Sequence, residues 1–239
     1  MAEAAFEHSA DIVISGSNQS KLDTTVARLR EAYPSQCEKQ SIITHVCDLA
    51  DVANLDINLE ALFQAAINNG ATKLNHVVTT AGDALQIPTL SDTNPQSIYN
   101  LMNVRLIAAA IMAKYISKYV ESSPASSFTL TSGVLSHKPA PGYSLVAALG
   151  SALEGLARGL AVDLKPIRVN VVSPGAVHTE SFSQFPRDAL DSILQKFREQ
   201  STTGTVGRPE DVAESYIYIM KDQFVSGTVI HSNGGALLA

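Results

Sequence analysis

Short runs of apolar and β-branched residues recur along this chain with helical stretches between them, and that alternation constrains the fold more than any other feature. The runs fall at residues 11–15, 42–46, 76–80, 127–131 and 168–172. Each is continuous rather than alternating in polarity, as in strands of a parallel sheet covered on both faces. Stretches of helical period fill residues 21–32 and 58–69. The order β-α-β-α predicts an α/β fold, a doubly wound parallel sheet of the Rossmann type. Residues 226–239 read as a last strand followed by a glycine turn. A length of 239 residues suits one such domain over 1–239, with no internal repeat or linker.

A further helix is predicted after Ser91, capped by Thr93 or Asn94, with Pro95 in its first turn. Its apolar stripe runs through Ile98, Leu101, Met102, Ala108, Ala109, Met112 and Ile116. Arg105 falls on the same stripe. A cation there must snorkel, pair with a carboxylate or line a cavity, because burying it alone is costly. Residues 145–164 are rich in Ala and Gly, a helix whose small side chains suit close packing on the sheet, on another subunit, or on both.

The net charge of −6 argues against a nucleic-acid partner. With 45% apolar and 17% charged residues the chain can bury a sizeable core. The longest strongly apolar run, residues 106–113, is too short for a membrane span, and the acidic start does not resemble a transit peptide. Two cysteines, Cys37 and Cys47, fit a reduced cytoplasmic setting. No His/Cys cluster has metal-ligand spacing, so no metal is expected.

Several blocks, in order, resemble the short-chain dehydrogenase/reductase family. Asp48-Leu49 follows a strand, as does the family's adenine-contacting Asp. Thr80-Ala81-Gly82 is similar to its Asn-Ala-Gly turn, and residues 167–175 (IRVNVVSPG) to its RVN…PG block. Residues 207–213 and 227–235 resemble its C-terminal blocks, so that the likeness covers nearly the whole chain. The resemblance implies a nicotinamide cofactor, a homodimer or homotetramer, and hydride transfer to or from a carbonyl carbon of a small molecule. It places Pro174, Gly175, Val177 and Thr179 on the nicotinamide side. Ser17, Asn18 and Lys21 stand where the family reads the adenosine ribose. A hydroxyl, an amide and a cation, with no acid, suit a 2′-phosphate and hence NADP(H) if a dinucleotide binds; an ordinary polar helix start is the plainer reading.

Two departures stand out. The family opens with a strand and a glycine-rich turn that cradles the pyrophosphate at a helix N-terminus. Here residues 2–9 read as the end of the helix that should follow, and 11–15 as the second strand, so the first strand and the cradle are missing. A shortened chain and a natural form that replaces the strand both account for this. The second departure is catalytic. The Tyr and Lys of the family's YxxxK motif fall on Val146 and Gly150, its supporting Ser on Gly133 beside Ser132, and its supporting Asn on Arg105. Neither Val nor Gly can transfer a proton, and ordinary Tyr–Lys carbonyl reduction is not expected.

Residues 137–143 (HKPAPGY) resemble a Pro-rich variant in a divergent branch that includes fungal biosynthetic enzymes repurposed for cyclisation. One group there uses an Arg on the long helix and an Asp in the Pro-rich loop; Arg105 matches the first, whereas the loop position is Ala140. By family geometry Arg105, Ser132 and Tyr143 form the expected catalytic set, with His137 and His178 nearby. Arg105 could hold an oxyanion, Tyr143 could donate a hydrogen bond, and either His could shuttle a proton. The resemblance implies a divergent, NADP-linked enzyme of natural-product chemistry working by non-standard redox, isomerisation or cyclisation. The alternative is a pseudoenzyme or scaffold subunit that keeps the fold.

Overall fold

In the computed structural model, which describes residues 1–67, 72–82, 87–180, 182 and 186–239, parallel strands alternate with helices. The strands are β1 (Ile12–Gly16), β2 (Ile42–Val46), β3 (His76–Val78), β4 (Ser127–Thr131), β5 (Arg168–Pro174) and β6 (Val229–Ser232). β1 and β2 pair in a two-stranded sheet, and the other four form a sheet ordered β3-β4-β5-β6. All pairs are parallel, with Ile12 opposite Ile42, Phe128 opposite Val169 and Val172 opposite Ile230. β3 ends at Val78, short of the predicted run. The Thr79 N–H still donates to the Thr129 carbonyl, but the Thr79 carbonyl accepts from the Thr131 hydroxyl, a side chain rather than a strand partner.

Among the described residues neither β1 nor β3 has a strand on its second edge. A short helix, α1 (Ala2–Glu7), leads directly into β1. The short α3 (Pro34–Cys37) precedes β2 and α8 (Arg187–Glu199) follows β5; other helices tie the two sheets together. On one face Ala4, Ala5 and Phe6 of α1 pack with Ile12, with Leu29 of α2 (Gln19–Ala32), and with Ala213 and Ile217 of α9 (Pro209–Lys221). α9 continues onto the larger sheet, where Tyr216 and Ile219 meet Val172 and Val78. On the other face Cys47 and Leu49, just after β2, join Leu59 and Phe63 of α4 (Leu55–Ala66) and Phe128, Leu130 and Val169 of the larger sheet. Fully burying one such side chain contributes about 1.5–3 kcal/mol.

The helix after Ser91 is interrupted. Asn94, not Thr93, caps α5 (Pro95–Met102) in a reciprocal capping box with Ser97, and Pro95 occupies the first turn. A π-helical turn, Asn103–Ile107, then precedes α6 (Ala108–Tyr119). Its wider turn shifts the phase of the stripe: Leu101, Ala108, Ala109, Met112 and Ile116 are buried, whereas Ile98, Met102 and Arg105 are half-buried. α7 (Ser144–Asp163) packs Leu149, Leu153 and Ala157 inward. By length and composition alone α7 could cross a membrane. Ser151, Glu154 and Arg158 interrupt its apolar sequence. In this fold its inner face is committed to β5.

Candidate active site

The residues singled out in the sequence gather mainly at the carboxyl ends of the strands, where open α/β sheets place ligands. Arg105 is on the π-helical turn, a feature that frequently marks functional positions. Its guanidinium lies directly over Gly82, after β3, where any Cβ on Gly82 would overlap it. The glycine of the Thr-Ala-Gly turn therefore makes room for this cation. Asn103, one of the few buried polar side chains, donates from Nδ2 to the Ala50 carbonyl at 3.2 Å. It ties the π turn to the 48–50 segment that follows β2.

Ser132 follows β4, and its N–H donates to the Val172 carbonyl at 2.9 Å, which sets it beside the end of β5. Its hydroxyl points toward α7 rather than to the strand ends alone. Ser132 Oγ donates to Glu154 Oε1 at 3.1 Å, and the same oxygen accepts from Ser136 Oγ at 2.8 Å. His137 Nε2 reaches Glu154 Oε2 at 2.9 Å. Glu154 and Ser136 escape a motif-based reading because neither belongs to a catalytic signature.

Tyr143 stands immediately before α7, half-buried, with its N–H donating to the Ala140 carbonyl at 3.1 Å. Val146 lies one turn into α7 and Gly150 one turn further. A Cβ built on Gly150 would come within 2.7 Å of Ser136 Cβ and 3.0 Å of Ser132 Oγ. The space into which a side chain at 150 would emerge is filled by these two serines. Loss of the family's Lys is thus built into the packing and is not an isolated substitution.

On the cofactor side, Ser17, Asn18 and Lys21 are exposed just beyond β1. Asn18 Oδ1 accepts from the Lys21 N–H at 3.0 Å, so Asn18 serves as the N-cap of α2 and moves that helix start to Gln19. Asp48 is exposed and accepts from the Ala50 N–H at 2.9 Å, whereas Leu49 packs into the main core. Burial, then the Asp48 charge, pushes the Cys47 thiol up, which makes it a poor nucleophile. Ala81 and Gly82 are exposed at the end of the β3 turn.

Pro174 closes β5, and the Gly175 N–H donates to the Ser232 carbonyl at 3.0 Å. A Cβ at Gly175 would come within 2.9 Å of the Asn233 backbone, so glycine allows the two strand ends to meet. Val177 forms a parallel bridge with Gly207, and the His178 N–H donates to the Gly207 carbonyl at 2.9 Å. Thr179 begins a turn in which its carbonyl accepts from the Phe182 N–H at 3.0 Å. His178 packs edge-on against Phe182, with ring centroids 5.5 Å apart. The arrangement therefore has two parts, an Arg105–Gly82 corner and a Ser132–Glu154–His137 corner, both held against α7 through the π turn and the 134–136 turn. Among the described residues no group of three His, Cys, Asp or Glu side chains could hold a metal ion.

The chain is similar to known proteins over its whole length. The profile of the SDR-like Rossmann domain matches residues 1–239. The short-chain dehydrogenase/reductase malC of Malbranchea aurantiaca is 43% identical over 238 residues, covering 100% of this chain and 89% of the relative. A second relative, ucsE of an Acremonium species, is 38% identical, covering 100% of this chain and 90% of its own length. The solved structure described as the MalC reductase/Diels-Alderase superposes with a TM-score of 0.94 over 100% of this chain and 91% of that one. A small-chain dehydrogenase solved with NADPH is 26% identical and superposes with a TM-score of 0.72, covering 96% of this chain and 100% of that one.

Proposed function

The chain belongs to the short-chain dehydrogenase/reductase family, and on that premise we propose that it is an NADP(H)-linked enzyme of natural-product chemistry that works without the Tyr–Lys pair. One observation carries the reading: the Arg105 guanidinium sits on Gly82 at the strand ends, while Gly150 is packed against Ser136. A fixed cation at that corner can polarise a carbonyl or hold an oxyanion as charge develops. Ser132 and Tyr143 are assigned as further hydroxyl donors of the site. The malC structure's description as both a reductase and a Diels-Alderase supports redox chemistry combined with cyclisation on a small organic substrate. Ala140 brings no carboxylate to the Pro-rich loop, so no step is assigned to that position.

The residues present fit two ends of a dinucleotide. Ser17, Asn18 and Lys21 would hold the adenosine 2′-phosphate, with Asp48 and Leu49 beside the adenine and Ala81 and Gly82 lining the turn between. Pro174, Gly175, Val177 and Thr179 would meet the nicotinamide. NADPH, when bound, supplies a hydride. We place the protein in the cytoplasm as a homodimer or homotetramer, with no nucleic-acid or membrane partner.

Calorimetric titration with NADPH and with NADH tests the cofactor assignment; saturable binding that prefers NADPH is expected. Arg105→Ala should lower turnover about 100-fold or more, in line with the loss of an oxyanion donor. Unchanged turnover would remove Arg105 from the mechanism. No binding and no turnover would favour the scaffold reading, which the packed Gly150 position also suits.

A further inference from the structure

One turn beyond Gly150 on α7, Glu154 turns its carboxylate inward, with 6% of the side chain exposed. A carboxylate so placed must be satisfied by donors. Ser136 Oγ at 2.8 Å, Ser132 Oγ at 3.1 Å and His137 Nε2 at 2.9 Å supply them. Ser136 divides its one proton between Glu154 and the Gly133 carbonyl, 2.7 Å away, and so steadies the carboxylate. His137 leads outward: 39% of its side chain is exposed, and its ring meets His231 of β6 edge-on with centroids 4.8 Å apart. A continuous line of hydrogen-bonding groups therefore runs from solvent through His137 and Glu154 to Ser132 at the end of β4.

We propose that this line is a proton relay that delivers a solvent proton to the reacting molecule at Ser132, in the role that Val146 and Gly150 cannot fill. The inference rests on the enzyme reading given above. In the relay the substrate atom takes the Ser132 hydroxyl proton as Ser132 Oγ takes one from the Glu154 carboxyl. Glu154 has received its proton from His137 Nε2, and water returns one to His137. At each site one bond to hydrogen breaks and one forms. The net change is one proton from solvent to substrate, and no electrons move along the line. Ser132 is the catalytic residue here; Glu154 and His137 act through it and are positioning residues. A carboxylate held for stability alone needs its donors but not a path to the surface.

The His137 ring faces the Glu154 carboxylate from α7 on one side and His231 from β6 on the other. Ser136 faces His137 through the shared carboxylate, and the neighbouring Lys138 donates away to the Ala236 carbonyl at 2.9 Å.

The experiment measures NADPH consumption with an activated dicarbonyl as probe from about pH 5 to 9, the range that spans imidazole titration, together with calorimetric NADPH affinity. His137→Gln alters an exposed position and carries the test alone, with Glu154→Gln as the inner variant. The expected result is unchanged NADPH affinity, turnover lowered about 100-fold, and a pH profile whose shape differs from that of the wild type. A His137→Gln profile that keeps the wild-type shape and rate overturns the relay while leaving the enzyme reading intact. Wild-type protein that binds NADPH but does not reduce the probe also overturns it. Wild-type protein that binds no NADPH removes the enzyme reading, and the relay with it.

Discussion

Two glycines on one helix should respond to the same substitution with opposite sign. Gly150 and Gly159 both lie inside α7. Replacing an interior helical glycine by alanine ordinarily stabilises a helix by about 1 kcal/mol, because alanine loses less backbone freedom on folding. At Gly159 a new Cβ meets nothing within 4 Å, so Gly159→Ala should realise that gain. At Gly150 the Cβ would lie 2.7 Å from Ser136 Cβ and 3.0 Å from Ser132 Oγ. Ordinary carbon contacts sit at about 3.5–4.0 Å, so the 134–136 turn must retreat by roughly 1 Å. Ser136 Cβ is joined directly to the backbone and cannot rotate away. Overpacking of this kind costs about 1–3 kcal/mol, which cancels or exceeds the propensity gain. Gly159→Ala should therefore be more stable than Gly150→Ala by about 1–3 kcal/mol. Urea unfolding followed by circular dichroism measures the difference as a shift in midpoint at constant slope. In a Ser136→Gly background, which lacks the opposing carbon, adding Gly150→Ala should cost much less than it does in the wild type. Equal stabilisation by the two single variants would refute the packing argument. It would also reopen position 150 to a functional lysine.

Arg168 is buried, with 3% exposed, and donates to the carbonyls of Pro124 at 2.6 Å, Ile219 at 2.7 Å and Val225 at 3.2 Å. Arg168→Met leaves the Pro124 and Ile219 carbonyls without this donor, whereas Val225 keeps Asn170 Nδ2 at 2.9 Å, and should cost about 3–5 kcal/mol; a fall in melting temperature below about 2 °C would contradict this. Burial and then the Arg168 charge hold His76 down at about 4, against an ordinary value near 6.5. Its protonation thus favours the unfolded chain: the associated stability is present above pH 6.5 and lost as pH falls toward 4. With solvent screening on its open side the loss should be about 1–2 kcal/mol, and His76→Asn should flatten that part of a stability–pH curve.

The order of strands and helices is legible because continuous apolar runs and helical stripes report burial directly, and the Asn94–Pro95–Ser97 start of α5 is written in adjacent residues. The π turn is not, because Asn103–Ile107 continues an unbroken helical pattern and its wider turn is set by what packs around it. The catalytic departures at Val146 and Gly150 can be read from motif alignment, but not what took their place. Arg105 draws notice as a charge on an apolar stripe. The same physical rule applies to Glu154, which stands between buried Leu153 and Ala157 on α7. What hides Glu154 is the distance in sequence to its partners: Ser132, Ser136 and His137 come from the segment after β4, and only the packing of that turn on α7 joins them. Gly150 links the two observations. The absence of a side chain there admits Ser136, Ser136 supports Glu154, and Glu154 connects Ser132 to His137. The position that looks like a loss in the alignment is, in the folded chain, the space that allows the new polar network to form.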